Sequence, residues 1–156
     1  MLPFEPDKYG PVFAPLLKTD RCRPLGPGKP IRSARESLDA LEPQAALAHA
    51  KIIDPAMAEL CCGAIWLLYD FLEESHKRSQ QVDTDSGSYW HGIMHRREPD
   101  YQNAKYWFRR VGDHPIYAEL HKGARELTRE AEVDDAIAAL QTQKRWDPFL
   151  LIDMVE

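Results

Sequence analysis

The sequence predicts an all-α protein, a compact single-domain bundle of about six to eight helices behind an irregular proline-rich arm. Three observations carry that expectation. No run alternates apolar and polar residues over the length of a strand. Apolar residues recur instead at helical spacing, most cleanly at Tyr101, Ala104, Trp107, Phe108 and Val111. Helix-start signals precede the apolar runs: Ser33 with Glu36, Pro43, Pro55, Asp100 with Asn103, and Asp147-Pro148.

A chain of 156 residues is long enough for one domain with a sizeable core. Its hydrophobic fraction of 44% and charged fraction of 29% fit a globular protein. The formal net charge of −5 argues against a nucleic-acid partner, which selects basic surfaces. The longest apolar stretch, Ala56–Leu72, is too short and, with Glu59 and Asp70, too charged to span a membrane. The three cysteines, Cys22, Cys61 and Cys62, are too few for a disulfide scaffold and favour a reducing compartment. No basic segment followed by an apolar run opens the chain, so a cytoplasmic location is expected.

Residues 1–30 hold seven of the twelve prolines, and proline lacks the donor that helices and strands need. Leu2, Phe4, Tyr9, Val12, Phe13, Leu16 and Leu17 make this segment too apolar for a disordered tail. It is expected to pack on the helical body, residues 31–156, with a short helix near 12–18. Ser33 and Glu36 read as a capping box for a helix to about Leu41. Pro43 opens an alanine-rich helix over 43–51, and one long helix follows from Ala56 to about His76. Its middle is apolar nearly all round, the pattern of a helix buried on most sides. In one continuous helix, Glu59, Gly63, Trp66, Asp70 and Glu73 would form an acidic stripe. Cys61 and Cys62 read as packing.

After a polar loop, Ser86 or Ser88 caps a helix to about Arg97, which Pro99 ends. Asp100 with Asn103 starts the next helix, and Gly112 stops it. Asp113-His-Pro115 opens a helix over 115–129. Another covers Val133–Gln143, and Phe149–Met154 is a short apolar closing helix.

Residues 86–115 carry the chemistry, with three of the six histidines, two of the four tryptophans and two Arg-Arg pairs. With His91 at zero on a helical wheel, His95 lies at about 40° and Glu98 at about −20°. Histidines at i and i+4 can bind one metal ion and a carboxylate can complete the set, so His91 and His95 are candidate ligands of a divalent metal, with His114 as a further one. His91, His95 and Glu98 are also the candidate catalytic groups. Gly92 stands where a zinc protease would need its glutamate, which argues against that class. Glu73 and His76 form a single Glu-x-x-His, whereas di-iron bundles need two. Gly92 leaves a gap for a neighbouring backbone or a ligand.

Arg96, Arg97, Asn103, Tyr106 and Arg110 form a set of donors suited to a small anionic molecule. Against this stands a structural reading, in which the arginines pair with Glu59, Asp70 and Glu73 and the histidines hydrogen-bond to carboxylates such as Asp70. Trp107 and the other helix-spaced aromatics read as core. No glycine-rich phosphate loop is present.

The run Tyr89-Trp-His-x-x-x-His-Arg-Arg-Glu98, then Asp100-x-x-Asn-Ala-Lys-Tyr-Trp-Phe-Arg109, then Val111-Gly-x-His-Pro115, resembles a signature of a family of bacterial and fungal proteins of no known function. The resemblance spans residues 89–115. It implies a shared site and no particular activity. Three functional classes follow: a metal or anion pocket, enzymatic or not; a non-catalytic helical domain held by a buried polar network; and an interaction module that grips a partner through the arm or the last helix.

Overall fold

A computed structural model describes residues 4–156; Leu2 and Pro3 of the arm lie outside the described residues. The architecture is all-α, with ten α-helices and no strand among the described residues. The helices are α1 (Gly10–Leu17), α2 (Arg35–Asp39), α3 (Pro43–Ala46), α4 (Pro55–Leu68), α5 (Leu72–Ser79), α6 (Asp85–Arg97), α7 (Tyr101–Val111), α8 (Ile116–Thr128), α9 (Asp135–Thr142) and α10 (Pro148–Asp153). The count exceeds six to eight because one expected helix is divided and short ones stand alone.

The division matters most. The long helix expected from Ala56 to His76 is two, α4 and α5, separated at Asp70, whose φ of 64° is incompatible with a continuing right-handed helix. Aspartate enters this region more readily than most side chains. Here the carboxylate is fully buried and held by two arginines, described below. The acidic stripe therefore does not form. Glu59 pairs with Arg78, and Glu73 with its helical neighbour Lys77 at 3.3 Å.

Other boundaries move for local reasons. Ser33 makes no cap; a 3-10 turn over Arg32–Ala34 leads into α2. The alanine-rich helix at Pro43 stops at Ala46, where the chain turns and brings the His49 ring against Gly10. So short a helix is governed by packing rather than by alanine propensity. Thr84, not Ser86 or Ser88, caps α6 by accepting from Gly87 N at 3.1 Å. Asp100 caps α7 through Asn103 N, and Gly112 ends it with φ 62°. Pro115 precedes α8 without a side-chain cap; His114 Nδ1 accepts from Ile116 N instead. Asp134 and Asp147 cap α9 and α10.

Two hydrophobic clusters form. The larger joins Phe13 and Leu16 of α1, Leu38, Leu41 and Ala46, and Cys62, Ile65, Trp66, Tyr69 and Phe71 around α4. Cys62 is buried but Cys61 is exposed, so only the former packs. The smaller joins Ala104, Phe108 and Val111 of α7 to Ile152 of α10. Helix α6 lies between them and packs on α4, α5 and α7. The segment after α1 runs back over the body: Ile31 N donates to Tyr69 O, and Tyr69 Oη donates to Leu16 O. No helix of the described residues is long and apolar enough to cross a membrane.

Candidate metal centre

Helix α6 presents His91 and His95 on one face, a turn apart, as helical periodicity requires. Both are buried, at 3% and 7% exposure. The break at Asp70 redirects the chain so that α5 packs on α6 and delivers a third imidazole, His76. The His76 ring lies 4.7 Å from His91 and 5.3 Å from His95, centroid to centroid, while His91 and His95 stack at 4.9 Å. One nitrogen from each of the three falls within 4.8 Å of the other two. It is the one group of three metal-ligating side chains so placed among the described residues. Tetrahedral ligands with zinc–nitrogen bonds of about 2.0–2.1 Å sit roughly 3.4 Å apart, so closure requires ring movements of about an ångström.

The electrostatics suit a cation ligand. Burial, reinforced by His76 and His95, pushes the His91 imidazole down to about 3. Burial and His76 also push His95 down, against the pull of Asp100 and Glu98. Both are therefore neutral at neutral pH and keep the lone pair that a metal needs. Nδ1 of His91 and Nδ1 of His95 are buried and accept or donate no hydrogen bond. Glu98 Oε2 stands 3.4 Å from His95 Nδ1 and Asp100 Oδ2 3.9 Å, within electrostatic reach but off hydrogen-bond geometry. They act on the His95 ring through their charge, raising its basicity against the effect of burial.

Trp107, expected in the core, is half-buried and stacks on His91 at 4.0 Å and 12°. The Arg110 guanidinium lies 5.4 Å from the Trp107 ring and pairs with Asp83 at 3.3 Å. The gap at Gly92 is not filled by a neighbouring backbone. It seats the Phe108 ring, which a Cβ there would meet at 2.9 Å.

The donors proposed from sequence as one anion clamp are dispersed. Arg97 is buried and saturated: it pairs with Asp70 and donates to the carbonyls of Leu67 (2.8 Å), Gly26 (3.0 Å) and Pro27 (3.4 Å). Arg23 pairs with the same carboxylate, and Lys29 N donates to it at 3.3 Å. Burial would raise the Asp70 carboxyl, but hydrogen bonds from Arg23 and Arg97 hold it below its usual range. Gly28, with φ 70°, brings its backbone so near Asp70 that a Cβ would fall 2.5 Å from the carboxylate. Asn103 Nδ2 donates to Asp100 Oδ2 at 2.7 Å, and Tyr106 is exposed. Arg96 points to the opposite side of α6. His114 is also separate: it bonds to Ser86 Oγ at 2.9 Å and stacks on Tyr89 at 5.4 Å, so it is not a member of the trio.

His76 is the site residue that sequence reasoning missed. Its one signal was the isolated Glu-x-x-His, but its partners lie 15 and 19 positions away, across a helix break. Comparisons with protein-family models, curated proteins and solved structures returned no match.

Proposed function

We propose that the protein binds one divalent transition-metal ion, zinc in the first place, through His76, His91 and His95. The observation that carries this reading is the convergence of three imidazoles from two helices, two of them with buried, unsatisfied ring nitrogens. Imidazole suits zinc, copper, nickel and iron alike. Three histidines leave a fourth position for water or a small anion, the arrangement of catalytic rather than structural zinc. Such an ion supplies an acidified bound water. Around it, Glu98 and Asp100 place negative charge beside His95, and Trp107 covers the His91 ring and excludes water from that side. His76, only partly buried, is the ligand nearest the solvent.

Metal analysis after metal-replete expression and gel filtration tests this. About one equivalent per chain is expected, removable by chelator and absent from the His91→Ala, His95→Ala double variant, whose folding is checked by circular dichroism. Failure of the wild-type protein to hold or recover zinc overturns the reading. A second reading has its own support in the stacked column of Trp107, His91 and His95. In it the rings are packing elements of a non-catalytic domain, and zinc leaves the melting temperature unmoved.

A further inference from the structure

We infer that a second site, independent of the histidine trio, lies on the opposite side of α6: a cavity of about 210 Å³ built around Arg96 that takes a small monocarboxylate with an apolar or aromatic body. Tyr89, Ile93 and Arg96 recur at i, i+4 and i+7 and lie roughly 140–200° around the helix from His91. Phe108 of α7, Trp146, and Leu151 of α10 complete the walls used here.

The argument starts from the arginine. Every nitrogen of Arg97, its neighbour, is hydrogen-bonded, to a carboxylate and three carbonyls in all. Arg96 has no carboxylate within ion-pair distance and no hydrogen bond among the described residues, and its Nε is buried without a partner. A guanidinium always carries its charge in a protein and has five donors to satisfy. Arg96 is part-buried, and its Nε, shielded from water, is answered by no protein group, which is costly for a buried donor. Desolvation by burial indeed draws its pKa down. An anion entering the cavity would answer that charge.

The walls select the anion. A guanidinium matches a carboxylate as a bidentate pair. Ile93, Phe108, Trp146 and Leu151 offer carbon surface, which suits an apolar body and disfavours a strongly hydrated, multiply charged phosphate. The volume lies below the roughly 300–1,000 Å³ of pockets for drug-sized ligands, which excludes nucleotides. A route in is also present. Phe108, Trp146 and Pro148 also line an open cleft of about 1180 Å³, where the Tyr117 hydroxyl is a second buried donor without a partner.

Benzoate is the test ligand, with inorganic phosphate and benzyl alcohol as controls for charge without carbon and carbon without charge. Titration calorimetry is done with chelator present, so that the outcome is separate from that of the metal site. Saturable one-to-one binding of benzoate is expected, with neither control competing at the same concentration. Arg96→Gln should lower the affinity about tenfold to a hundredfold, and Arg96→Lys, which keeps charge but loses the fork, should fall between. Without ligand, Arg96→Gln should melt no lower than wild type, which keeps loss of binding distinct from loss of fold. Two results overturn the proposal: no benzoate binding by the folded wild type, or equal binding by Arg96→Gln.

Discussion

Two polar clusters share α6 within six residues and end in opposite states. Each nitrogen of Arg97 meets an oxygen: the Asp70 carboxylate, shared with Arg23, and the carbonyls of Leu67, Gly26 and Pro27. Around His91 and His95, comparable burial leaves Nδ1 of each ring without a hydrogen bond. Buried polar groups are normally satisfied, and exceptions call for a reason. Arg97 and Asp70 are answered from within the chain, although Arg23 Nε beside them is buried without a partner, and the pair ties the segment before α2 to the turn after α4. In the histidine cluster two buried ring nitrogens have no hydrogen-bond partner within the described residues. Burial alone does not distinguish Arg97 from the two histidines; hydrogen-bond satisfaction does.

Breaking the saturated cluster should have the largest effect. Arg97→Ala leaves Asp70 buried beside one arginine, and Asp70→Ala leaves two arginines facing each other. Each should cost about 3–5 kcal/mol, read in denaturant melts. The double variant should cost much less than the sum, since the two share one interaction. Additive losses of about 1 kcal/mol, as for an exposed pair, would remove the distinction between the clusters. The open cluster should respond to ligand instead. At free zinc a hundredfold above its dissociation constant, the wild type gains about 2.7 kcal/mol. His76→Ala, at a partly exposed position, should abolish that gain while changing the metal-free melt little.

Much of the fold was legible because its signals are local. Asp100 capping Asn103 N, Gly112 ending α7 and Asp147 before α10 each act within a few residues. The break at Asp70 was not, because what holds it comes from Arg97, 27 positions later, and Arg23, 47 earlier. The site was legible in part. Helical spacing brings His91 and His95 together, but His76 depends on that same break. His114 looked close in sequence, yet Ser86 and Tyr89 hold it. Trp107 fell on the apolar face of α7, but Phe108 takes the seat at Gly92 and leaves Trp107 against the histidines.

That seat gives a prediction touching neither cluster's charges. In Gly92→Ala the new methyl meets the Phe108 ring at 2.9 Å, so the ring or the spacing of α6 and α7 must give. Overpacking of this kind costs about 1–3 kcal/mol. Zinc affinity should fall with it, because Trp107 shifts with Phe108, whereas the Asp70–Arg97 coupling energy should not. A variant as stable as wild type would mean that the helix pair is looser than its geometry implies.

The smallest effect distinguishes the clusters by pH, in the chelator-treated protein. His91 has a folded pKa depressed from 6.5 to about 3, so the unfolded chain binds the proton first as pH falls. Stability is complete above 6.5 and declines below it, by about 1 kcal/mol between pH 6.5 and 5.5 for a single such group. His95, also lowered, adds in the same direction. Asp70 is lowered too, but from 3.8, so its contribution stays whole across that interval and is lost only in stronger acid. Chemical melts at pH 6.5 and 5.5 should show the decline in wild type and Asp70→Asn alike, and a smaller one in His91→Gln. If His91→Gln keeps the full decline, the imidazole is not desolvated as its surroundings require, and the contrast between an open and a closed cluster on α6 fails at its histidine end.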